Sequence, residues 1–363
     1  MKILHIGNMK SGIDVYVRNT IMHVADDFDF VIVRGEEDDN APFIKNGQEV
    51  REYQIPMCRN LNPLKDAKAL VQTVRIIRAE KPDLIHCHSA KGGFVGRCAG
   101  FLTGVRTLYT PHAFSFLSAE SKKKSTFYLW LERAARLNSR LLACSESEQA
   151  LGMSEVHYRP DRAMVWHNAL PDLPKKNTGQ DEATPYICSI GRPSFQKNTF
   201  FMLEIIQQIH VRHPEVKFYL IGAAYFSPDF EELKSRITAS GLEQTFQILP
   251  WLSHEDALKY LEHSLFYLTV ARYEGLPLSV IEAMALEKAI VASDVVGNRD
   301  CVKDEVNGFL LPLQVDAFVE KMCLLIENRL QCHTMGRQSR LLFEDRFMIE
   351  NRIKFLEEIY KQE

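Results

Sequence analysis

Short apolar segments rich in β-branched residues alternate with longer amphipathic segments along most of the chain. In the first half these patterns predict strands at 2–6, 29–33, 84–88, 106–110 and 140–144, and helices at 14–25, 65–80, 93–103 and 122–138. Segment 65–80, for example, repeats Ala69, Val74 and Ile77 at helical spacing, with its charged residues off that face. Such alternation is typical of a parallel sheet covered by helices on both faces.

The pattern is interrupted between Asn168 and Thr184, a segment rich in Pro, Lys, Asn and Asp that has no apolar periodicity. This composition is typical of a linker between domains. The alternation then restarts, with predicted strands at 186–190, 216–221, 245–249, 265–269, 289–292 and 308–311, and predicted helices at 198–212, 229–240, 254–262, 277–286 and 314–328.

Two such series predict an α/β fold with two Rossmann-like, doubly wound parallel-sheet domains, at 1–170 and 171–345. Ligands of these sheets bind beyond the carboxyl ends of the strands, so the natural site is a cleft across which the two domains face each other. The remaining segment, 346–363, carries apolar residues at helical spacing and could close either domain.

The chain has 363 residues, of which 46% are hydrophobic and 25% charged, as expected for a soluble globular protein with two cores. Its formal net charge of −3 divides into +4 for residues 1–170 and −7 for the remainder. This asymmetry is too weak to indicate nucleic-acid binding. It would suit a first half that meets a phospholipid surface or a lipid-linked pyrophosphate, or equally a variation without function.

Several features predict a cytoplasmic location. No segment approaches eighteen uninterrupted apolar residues, and the N-terminus lacks the long apolar core of a signal peptide. The eight cysteines show no CxxC pair and no repeated spacing, which favours reduced thiols over a disulfide framework. The basic helix predicted after Ser121 could touch a membrane, but a solvated face explains it as well.

The segment from Glu274 to Ala285 combines an anion site with two carboxylates. Pro277 suits the first turn of a helix, and the amides around residues 275–279 would bind an anion at the helix N-terminus. Glu274 and Glu282 would flank a diphosphate there and accept hydrogen bonds from sugar hydroxyls. The alternative is an exposed loop glutamate and a solvated helix glutamate.

A second candidate element follows the first strand of the second domain, where Gly191, Arg192 and Lys197 lie in one loop. Gly191 permits a turn, and the two cations lie at the carboxyl end of the strand, where a leaving nucleoside diphosphate needs positive charge. A basic loop that simply faces water is the competing interpretation.

Together these residues resemble the signature of retaining glycosyltransferases of family 4. The match rests on the sequence EGLPLSVIEAMA, with its glutamates spaced as E-x7-E, and on Gly-Arg-x4-Lys before it, which resembles the family's diphosphate clamp. Further landmarks span nearly the whole chain and lie at residues 2–6, 11–13, 82–89, 110–114, 143–147 and 167–168. The resemblance implies the GT-B fold, with 346–363 crossing back to the first domain, and is strongest for bacterial enzymes that build capsule, exopolysaccharide or O-antigen units.

The implied activity is the transfer of a hexose or N-acetylhexosamine, with retention, from a nucleotide diphosphate sugar. UDP-sugars are favoured as donors, and the acceptor would be a saccharide or a polyprenyl-diphosphate-linked sugar. In this scheme Glu274 contacts the transferred sugar, Glu282 the ribose, and Arg192 and Lys197 the diphosphate. The remaining implied site residues are the backbone at Gly275, Leu276 and Pro277, Trp251 at the nucleobase, His112 near the anomeric centre, and Gly12 beside the donor phosphates.

Two departures from the family pattern concern the first domain. Ser11 stands where the first loop usually has a glycine, and Ala113 stands where a glycine commonly follows the histidine of the Thr-Pro-His motif. The first departure bears on the role of Gly12, because Ser11 would tighten the loop. In the second domain Pro193 follows Arg192 and leaves both cations of the clamp in register.

We expect no metal cofactor, because Arg192, Lys197 and a helix N-terminus supply the charge that a cation would otherwise provide. The acidic run at 36–39 is interpreted as a solvated loop. His86 and His88 share one face of a strand, with no third ligand apparent. Retention without an evident nucleophile suggests that the acceptor hydroxyl attacks from the face of the leaving phosphate, which takes its proton.

Two other functions stay open. A nucleotide-sugar 2-epimerase can share this architecture and would release an epimerised UDP-sugar without any acceptor. A catalytically inert nucleotide-sugar-binding scaffold subunit would keep the cleft, although the intact set of Arg192, Lys197, Glu274 and Glu282 favours transfer. The absence of GxGxxG after an early strand argues against a dinucleotide-dependent dehydrogenase.

Overall fold

A computed structural model of the chain describes residues 1–10, 12–36, 38, 40–58, 62–173, 184–223 and 227–362. The chain forms two compact units. One contains Met1–Pro171 and Ile349–Glu363, and the other contains Asp172–Met348. Most of the segment interpreted as a linker, residues 174–183, lies outside the described residues.

The first unit is a parallel sheet with helices between its strands. Its elements in chain order are β1 (Lys2–Ile6), α1 (Gly12–His23), β2 (Asp29–Gly35), β3 (Ile44–Lys45), β4 (Gln48–Glu49), β5 (Arg51–Ile55), α2 (Pro63–Glu80), β6 (Leu84–His88), α3 (Ser89–Thr103), β7 (Arg106–Thr110), α4 (Lys122–Ala134), β8 (Arg140–Ala143), α5 (Glu146–Ser154) and β9 (Ala163–Val165). The sheet has the order β5-β2-β1-β6-β7-β8-β9, and β3 and β4 form a separate antiparallel hairpin.

The second unit repeats this architecture. Its elements are β10 (Tyr186–Ile190), α6 (Thr199–Arg212), β11 (Lys217–Ala223), α7 (Phe230–Ala239), β12 (Phe246–Pro250), α8 (His254–His263), β13 (Tyr267–Thr269), α9 (Leu278–Ala285), β14 (Ile290–Ser293), α10 (Asn298–Cys301), β15 (Gly308–Leu311), α11 (Val315–Glu327) and α12 (Arg329–Arg346). Its parallel sheet has the order β12-β11-β10-β13-β14-β15. The last helix, α13 (Ile349–Lys361), belongs to the first unit.

The prediction of two doubly wound parallel sheets is confirmed. All eleven predicted strands are present within three residues of their expected bounds, and so are the helices between them apart from a few residues at their ends. The alternation did not predict β5, α5, β9, α10, α12 or the hairpin. The terminal segment was predicted to begin at residue 346. Helix α12 still includes Arg346, and the last helix begins three residues later, at Ile349.

Alternate residues of the first sheet face two cores. Leu4, Ile6 and Val31 pack on one side, with α2 and α3, whereas Ile3, Phe30 and Leu84 pack on the other, with α1 and α13. Because side chains alternate along a strand, His5 in β1 and His86 and His88 in β6 lie on the α1 and α13 side. All three histidines are fully buried.

Helix α3 packs very closely on this sheet because of its glycines. A methyl group added at Gly93 would lie 2.2 Å from a ring carbon of Tyr109, and one at Gly96 would lie 2.3 Å from Sγ of Cys87. Neither distance is compatible with a side chain, so glycine is required for this contact. The helix therefore lies directly behind β6 and β7, the two strands that lead to His88 and His112.

Candidate functional site

The loop after β10 carries the predicted cations. Gly191 has a φ of +154°, and a methyl group added to it would lie 2.8 Å from Cε of Lys197. Glycine at this position therefore lets the lysine side chain cross directly over the backbone. Arg192 lies in the same loop, and its charge opposes protonation of Lys197. The two cations are thus close enough to influence each other.

Lys197 forms an ion pair with Glu274. Its Nζ lies 2.8 Å from Oε1 of Glu274, and the side chains are 22% and 8% exposed. Burial, the largest single effect, lowers the pKa of Lys197, but the charge and hydrogen bond of Glu274 together with the charge of Tyr267 raise the pKa above its usual value. The lysine is therefore protonated at neutral pH. The sequence predicts that these two residues contact different parts of a donor, and the structure brings them into direct contact.

Gln196 completes the contact and was not predicted. Its Nε2 donates to Oε2 of Glu274 over 3.1 Å, and its backbone oxygen accepts from the amide of Arg272 at 2.9 Å. The glutamine therefore joins the loop after β10 to the loop after β13. Its position beside Lys197 was the available signal, because neighbouring residues of a βα loop reach the same edge of the sheet.

Helix α9 begins immediately after the second loop. Pro277 is its N-cap, and the amides of Val280 and Ile281 donate to the carbonyl oxygen of Pro277 over 3.1 and 3.2 Å. The amides of Leu278 and Ser279 have no hydrogen-bond partner within the described part of the chain. Two N–H groups at the positive end of a helix can therefore bind an anion.

A glycine from a third loop supports the start of α9. Gly297 follows β14 with a φ of +86°, and a methyl group there would lie 2.6 Å from the carbonyl oxygen of Gly275. The amide of Glu274 donates to the carbonyl oxygen of Val296 in the same loop over 3.2 Å. Gly275, Leu276 and Pro277 are consequently buried, and their backbone is held in place by the loop after β14.

Glu282 has a different partner. It lies in α9, is 8% exposed, and its Oε1 lies 2.7 Å from Nε2 of His254, the first residue of α8. The hydrogen bond to Glu282 raises the pKa of His254 above its usual value. His254 was not predicted, although it lies only three residues after Trp251, in the segment that follows β12. Trp251 is largely exposed.

The structure therefore separates the two signature glutamates into two contacts. Glu274 lies with Lys197 and Gln196, and Glu282 lies with His254. Lys197, Gln196 and Glu274 lie in the loops after β10 and β13, whereas His254 begins α8 and Glu282 lies within α9. One unit thus collects cations, carboxylates, two N–H groups and an exposed indole along the carboxyl edge of its sheet.

In the first unit, His112 lies in an unusual loop after β7. His112 has a φ of +52° and Ala113 a φ of +79°, in the left-handed region that favours glycine. The amide of Ala113 donates to Oε1 of Glu148 over 2.8 Å, and the other oxygen of Glu148 accepts from the amide of Cys144 at 2.9 Å. The fully buried carboxylate of Glu148, which the sequence did not predict as part of the site, therefore holds the backbone beside His112.

The interpretation that His86 and His88 lack a nearby third ligand is wrong. His5 in the neighbouring strand lies beside them, and one nitrogen from each ring lies within 4.8 Å of the others. Hydrogen bonds to other side chains engage both ring nitrogens of His86 and of His88. A cation could bind this cluster only by breaking those hydrogen bonds.

The acidic run at 36–39 is also not simply a solvated loop. Asp38 is buried, accepts from the amide of Met9 at 2.7 Å, and lies 3.6 Å from Nζ of Lys10. Burial raises its pKa. Its neighbours Glu37 and Asp39 lie outside the described residues, as does Ser11. Asp38 therefore supports the segment that precedes Gly12, the exposed first residue of α1.

Helix α4 carries the basic residues noted in the sequence and two exposed aromatic residues that were not predicted. Phe127 and Trp130 are 46% and 61% exposed, and their rings stack with centroids 6.3 Å apart. Lys122, Lys123 and Lys124 in its first turn are also exposed. Among the described residues, no helix has the length and apolar character needed to cross a bilayer.

Two family models match the chain. "Glycosyl transferases group 1" matches residues 172–342, and "Glycosyltransferase Family 4" matches residues 10–172. Together they span 10–342.

Curated relatives carry related names. An Escherichia coli UDP-Gal:alpha-D-GlcNAc-diphosphoundecaprenol alpha-1,3-galactosyltransferase is 27% identical over 86% of this chain and 84% of its own. The capsular polysaccharide biosynthesis glycosyltransferase CapM of Staphylococcus aureus is 22% identical over 87% of each chain.

Solved structures share the fold. Sucrose-phosphate synthase from Thermosynechococcus elongatus superimposes with a TM-score of 0.85 at 18% identity, covering 100% of this chain and 98% of that one. HepE from Anabaena, solved in complex with UDP and glucose, has a TM-score of 0.80 at 18% identity and covers 100% of each chain. The likeness extends over both units.

Proposed function

Because this chain belongs to glycosyltransferase family 4 and has the GT-B fold, we propose that it transfers a hexose or N-acetylhexosamine from a UDP-sugar to a saccharide or polyprenyl-diphosphate-linked acceptor. The transfer retains the anomeric configuration and serves the synthesis of a bacterial surface polysaccharide. Two relatives support this assignment. One is named for transfer from UDP-Gal to a diphosphoundecaprenol-linked sugar, and the other for capsular polysaccharide biosynthesis.

Sugar transfer is supported mainly by the ion pair of Lys197 and Glu274 together with the N–H groups at the start of α9. Transfer of a sugar leaves a nucleoside diphosphate, on which negative charge grows as the glycosidic bond breaks. Lys197, 2.8 Å from Glu274, is protonated and preorganised, and the amides of Leu278 and Ser279 have no partner in the described part of the chain. Such fixed donors stabilise developing negative charge without reorganising during the reaction.

Glu274 has two functions in this scheme. While the site is empty of donor, its carboxylate neutralises Lys197. When a diphosphate approaches, Lys197 can transfer part of its hydrogen bonding to phosphate, and Glu274 then accepts hydrogen bonds from hydroxyls of the transferred sugar. Gln196 keeps the carboxylate in position during this exchange, because it donates to the oxygen that Lys197 does not contact.

Glu282, His254 and Trp251 form the nucleoside side of the proposed site. Glu282 is buried beside His254 and accepts hydrogen bonds from the ribose hydroxyls. Trp251 is exposed three residues before His254 and stacks on the uracil. His254 thereby acts as a positioning residue: it holds the carboxylate of Glu282, and it lies in the segment after β12 that also carries Trp251.

The proposed chemistry needs no divalent cation, because Arg192, Lys197 and the helix N-terminus supply the positive charge. The bond between the anomeric carbon and the diphosphate oxygen breaks, and the acceptor oxygen attacks from the same face. The acceptor proton passes to the departing phosphate. Retention follows from this same-face geometry, as the family resemblance implies.

The exposed part of α4 is the proposed contact with the inner membrane. Lys122, Lys123 and Lys124 can attract anionic lipid headgroups, while Phe127 and Trp130 are placed on the same helix to enter the interfacial region. Such a contact would bring a lipid-linked acceptor to the protein. Binding to anionic vesicles tests it.

Lys197→Gln tests the proposed function. We expect the variant to keep its melting temperature within a few degrees and to lose kcat by about 10²–10³-fold with UDP-sugar and acceptor, as for the removal of one preorganised donor. Lys234→Gln, on the exposed face of α7, is the matched control and should retain full activity. Equal kcat in both variants, or accumulation of an epimerised UDP-sugar without acceptor, would contradict the proposal.

A further inference from the structure

Three histidines of the first unit, His5, His88 and His112, are joined in that order by hydrogen bonds. We call this row of side chains the histidine relay. Nδ1 of His5 lies 2.8 Å from Nε2 of His88, and Nδ1 of His88 lies 3.1 Å from Nε2 of His112. The strands fix this order, because β1 and β6 are neighbours in the sheet and His112 follows β7, the next strand. His112 is the member that is partly exposed.

All three rings are neutral. Burial lowers the pKa of His5 and of His112 to about 3 and holds that of His88 well below its usual value. A neutral imidazole has one N–H and one bare nitrogen. His88 must therefore donate one of its two hydrogen bonds and accept the other. Only two arrangements of protons in the relay are possible, and in these the hydrogen bonds donate in opposite directions.

His5, the buried end of the relay, distinguishes the two arrangements. Nε2 of His5 is buried and has no hydrogen-bond partner within the described part of the chain. If the bonds run from His112 towards His5, this nitrogen carries a proton and becomes an orphaned buried donor. If they run from His5 towards His112, it carries only a lone pair, which is the less rare defect in protein interiors.

The neighbouring aromatic ring does not rescue a proton at that position. Phe30 lies 5.6 Å from His5 between ring centroids, with the planes inclined by 31°. An N–H group in the plane of the imidazole would point at the face of the phenyl ring only if the two planes were close to perpendicular. The direction from His5 to His112 is therefore favoured.

From this geometry we propose that His5 and His88 are positioning residues that hold His112 in the tautomer with its proton on Nδ1. His112 then presents a fixed, neutral hydrogen-bond donor to an oxygen of the transferred sugar, and it is not a general base. This role rests on the proposed function. Nδ1 of His112 has no partner among the described residues, so it is available to substrate.

His86, which packs beside the relay, has a tautomer fixed by its own hydrogen-bond partners. Thr110 donates its only hydroxyl proton to the carbonyl oxygen of Leu142 over 2.7 Å, so it must accept from Nε2 of His86 at 2.8 Å. Nδ1 of His86 consequently accepts from the hydroxyl of Tyr360 in α13 at 2.9 Å. With its own tautomer fixed, His86 packs against His88 with ring centroids 4.2 Å apart and cannot exchange partners with it.

The proposed tautomer fits the electrostatics of sugar transfer. Positive charge develops at the anomeric carbon as the bond to the diphosphate breaks, and a protonated imidazole nearby would oppose it. A neutral N–H donor can orient a sugar hydroxyl without this repulsion. Tyr16 packs edge-on against His112, with centroids 5.1 Å apart and planes at 75°, and limits rotation of the ring.

The tautomer can be measured on the wild-type protein without substrate. Histidine-selective 15N labelling and long-range 15N–1H correlation at pH 7.5 report which ring nitrogens carry protons, and the signals of His112 are those lost in His112→Gln. We expect a protonated Nδ1 and a bare Nε2. A protonated Nε2, alone or together with Nδ1, would overturn the relay.

Two substitutions of His88 then link the tautomer to activity. The amide of His88→Asn can occupy the position of Nδ1 and donate to His112, whereas His88→Leu cannot. We expect His88→Leu to lose the Nδ1 proton of His112 and about tenfold or more in kcat, the equivalent of one hydrogen bond. His88→Asn should keep the proton and most of kcat, with little change of KM for the donor in either variant.

The possible failures are distinguishable. Equal loss of kcat in both variants, although the asparagine variant keeps the Nδ1 proton, would overturn the relay, because the tautomer would not determine the rate. The tautomer in wild-type protein does not depend on turnover. Its observation in a protein that transfers no sugar would therefore contradict the proposed function and leave the relay in place.

Discussion

Ala113 adopts a left-handed backbone conformation that residues with a side chain normally avoid. Its φ of +79° belongs to the region that glycine enters without cost, and a buried carboxylate from Glu148 holds its amide. A non-glycine residue pays about 1–2 kcal/mol there. The departure from the family's glycine is thus an alanine that adopts the glycine conformation, stabilised by one strong hydrogen bond.

We expect Ala113→Gly to leave the free energy of unfolding unchanged or to raise it by up to about 1 kcal/mol, because relief of strain offsets the greater entropy of the unfolded chain. Ala150→Gly, at an exposed position inside α5, is the control and should lose about 1 kcal/mol. Urea unfolding measures both. A loss at Ala113 as large as that at Ala150 would contradict the account.

At the scale of elements, α3 and α4 are joined by a buried ion pair. Arg97 donates from its guanidinium to Glu132 over 2.9 Å, both side chains are nearly inaccessible, and the guanidinium carbon lies 3.9 Å from the centre of the Tyr109 ring. The other oxygen of Glu132 accepts from the hydroxyls of Tyr109 and Ser115. This network fixes α4 against the strand that leads to His112.

Glu132→Gln should lower the free energy of unfolding by about 3–5 kcal/mol, because it leaves the guanidinium of Arg97 buried without its counter-charge. Glu120→Gln, on an exposed residue of the same unit, should change stability by less than about 0.5 kcal/mol. Urea unfolding compares the two. Equal stability of both variants would show that Arg97 is compensated by groups other than Glu132.

The exposed side of α4 allows a test of membrane contact. The double variant Phe127→Ser and Trp130→Ser should bind phosphatidylglycerol vesicles more than about tenfold more weakly, since it removes two apolar side chains from the lipid interface. Leu330→Ser, at an exposed position of α12, is the control. Vesicle sedimentation measures binding, and equal affinity of wild type and double variant would exclude α4 as the contact.

For the whole molecule, the buried histidines predict different acid sensitivity of the two units. His5, His86 and His88 have pKa values lowered by burial, whereas the unfolded chain takes up protons below about pH 6.5. Their contribution to stability is therefore complete above that pH and is lost as the pH falls. Three such groups amount to about 4 kcal/mol between pH 7.5 and 5.5.

Hydrogen exchange at these two pH values, corrected for intrinsic rates, can follow the two sheets separately. Amides of β1 and β6 should lose protection at pH 5.5, while those of β10 and β11 should change little, because no histidine of the second unit is buried among the described residues. Unchanged protection of β1 and β6 at pH 5.5 would mean that these histidines are already protonated in the folded protein.

The parallel sheets could be predicted because their buried strands are continuous apolar runs and their helices are amphipathic. Strand β5 could not, because it lies at the sheet edge and its residues Arg51, Glu52 and Gln54 show no apolar run. At the candidate site, local motifs predicted roles for Lys197, Glu274 and Glu282, and these roles stay predictions. Their partners Gln196 and His254 depend on contacts between different loops, and His5 was missed because strand neighbours are not adjacent in sequence.

In the proposed transfer, the cations of the protein itself supply the positive charge that the leaving diphosphate needs. The most direct test is a transfer assay in EDTA, using radiolabelled UDP-sugars and a panel of polyprenyl-diphosphate-linked sugars as acceptors, with wild type and Lys197→Gln compared. We predict that wild type labels the lipid fraction in EDTA and that Lys197→Gln does so far more slowly. Labelling that is lost in EDTA and restored by Mn²⁺ or Mg²⁺, or equal rates for both proteins, would contradict metal-independent transfer that depends on Lys197.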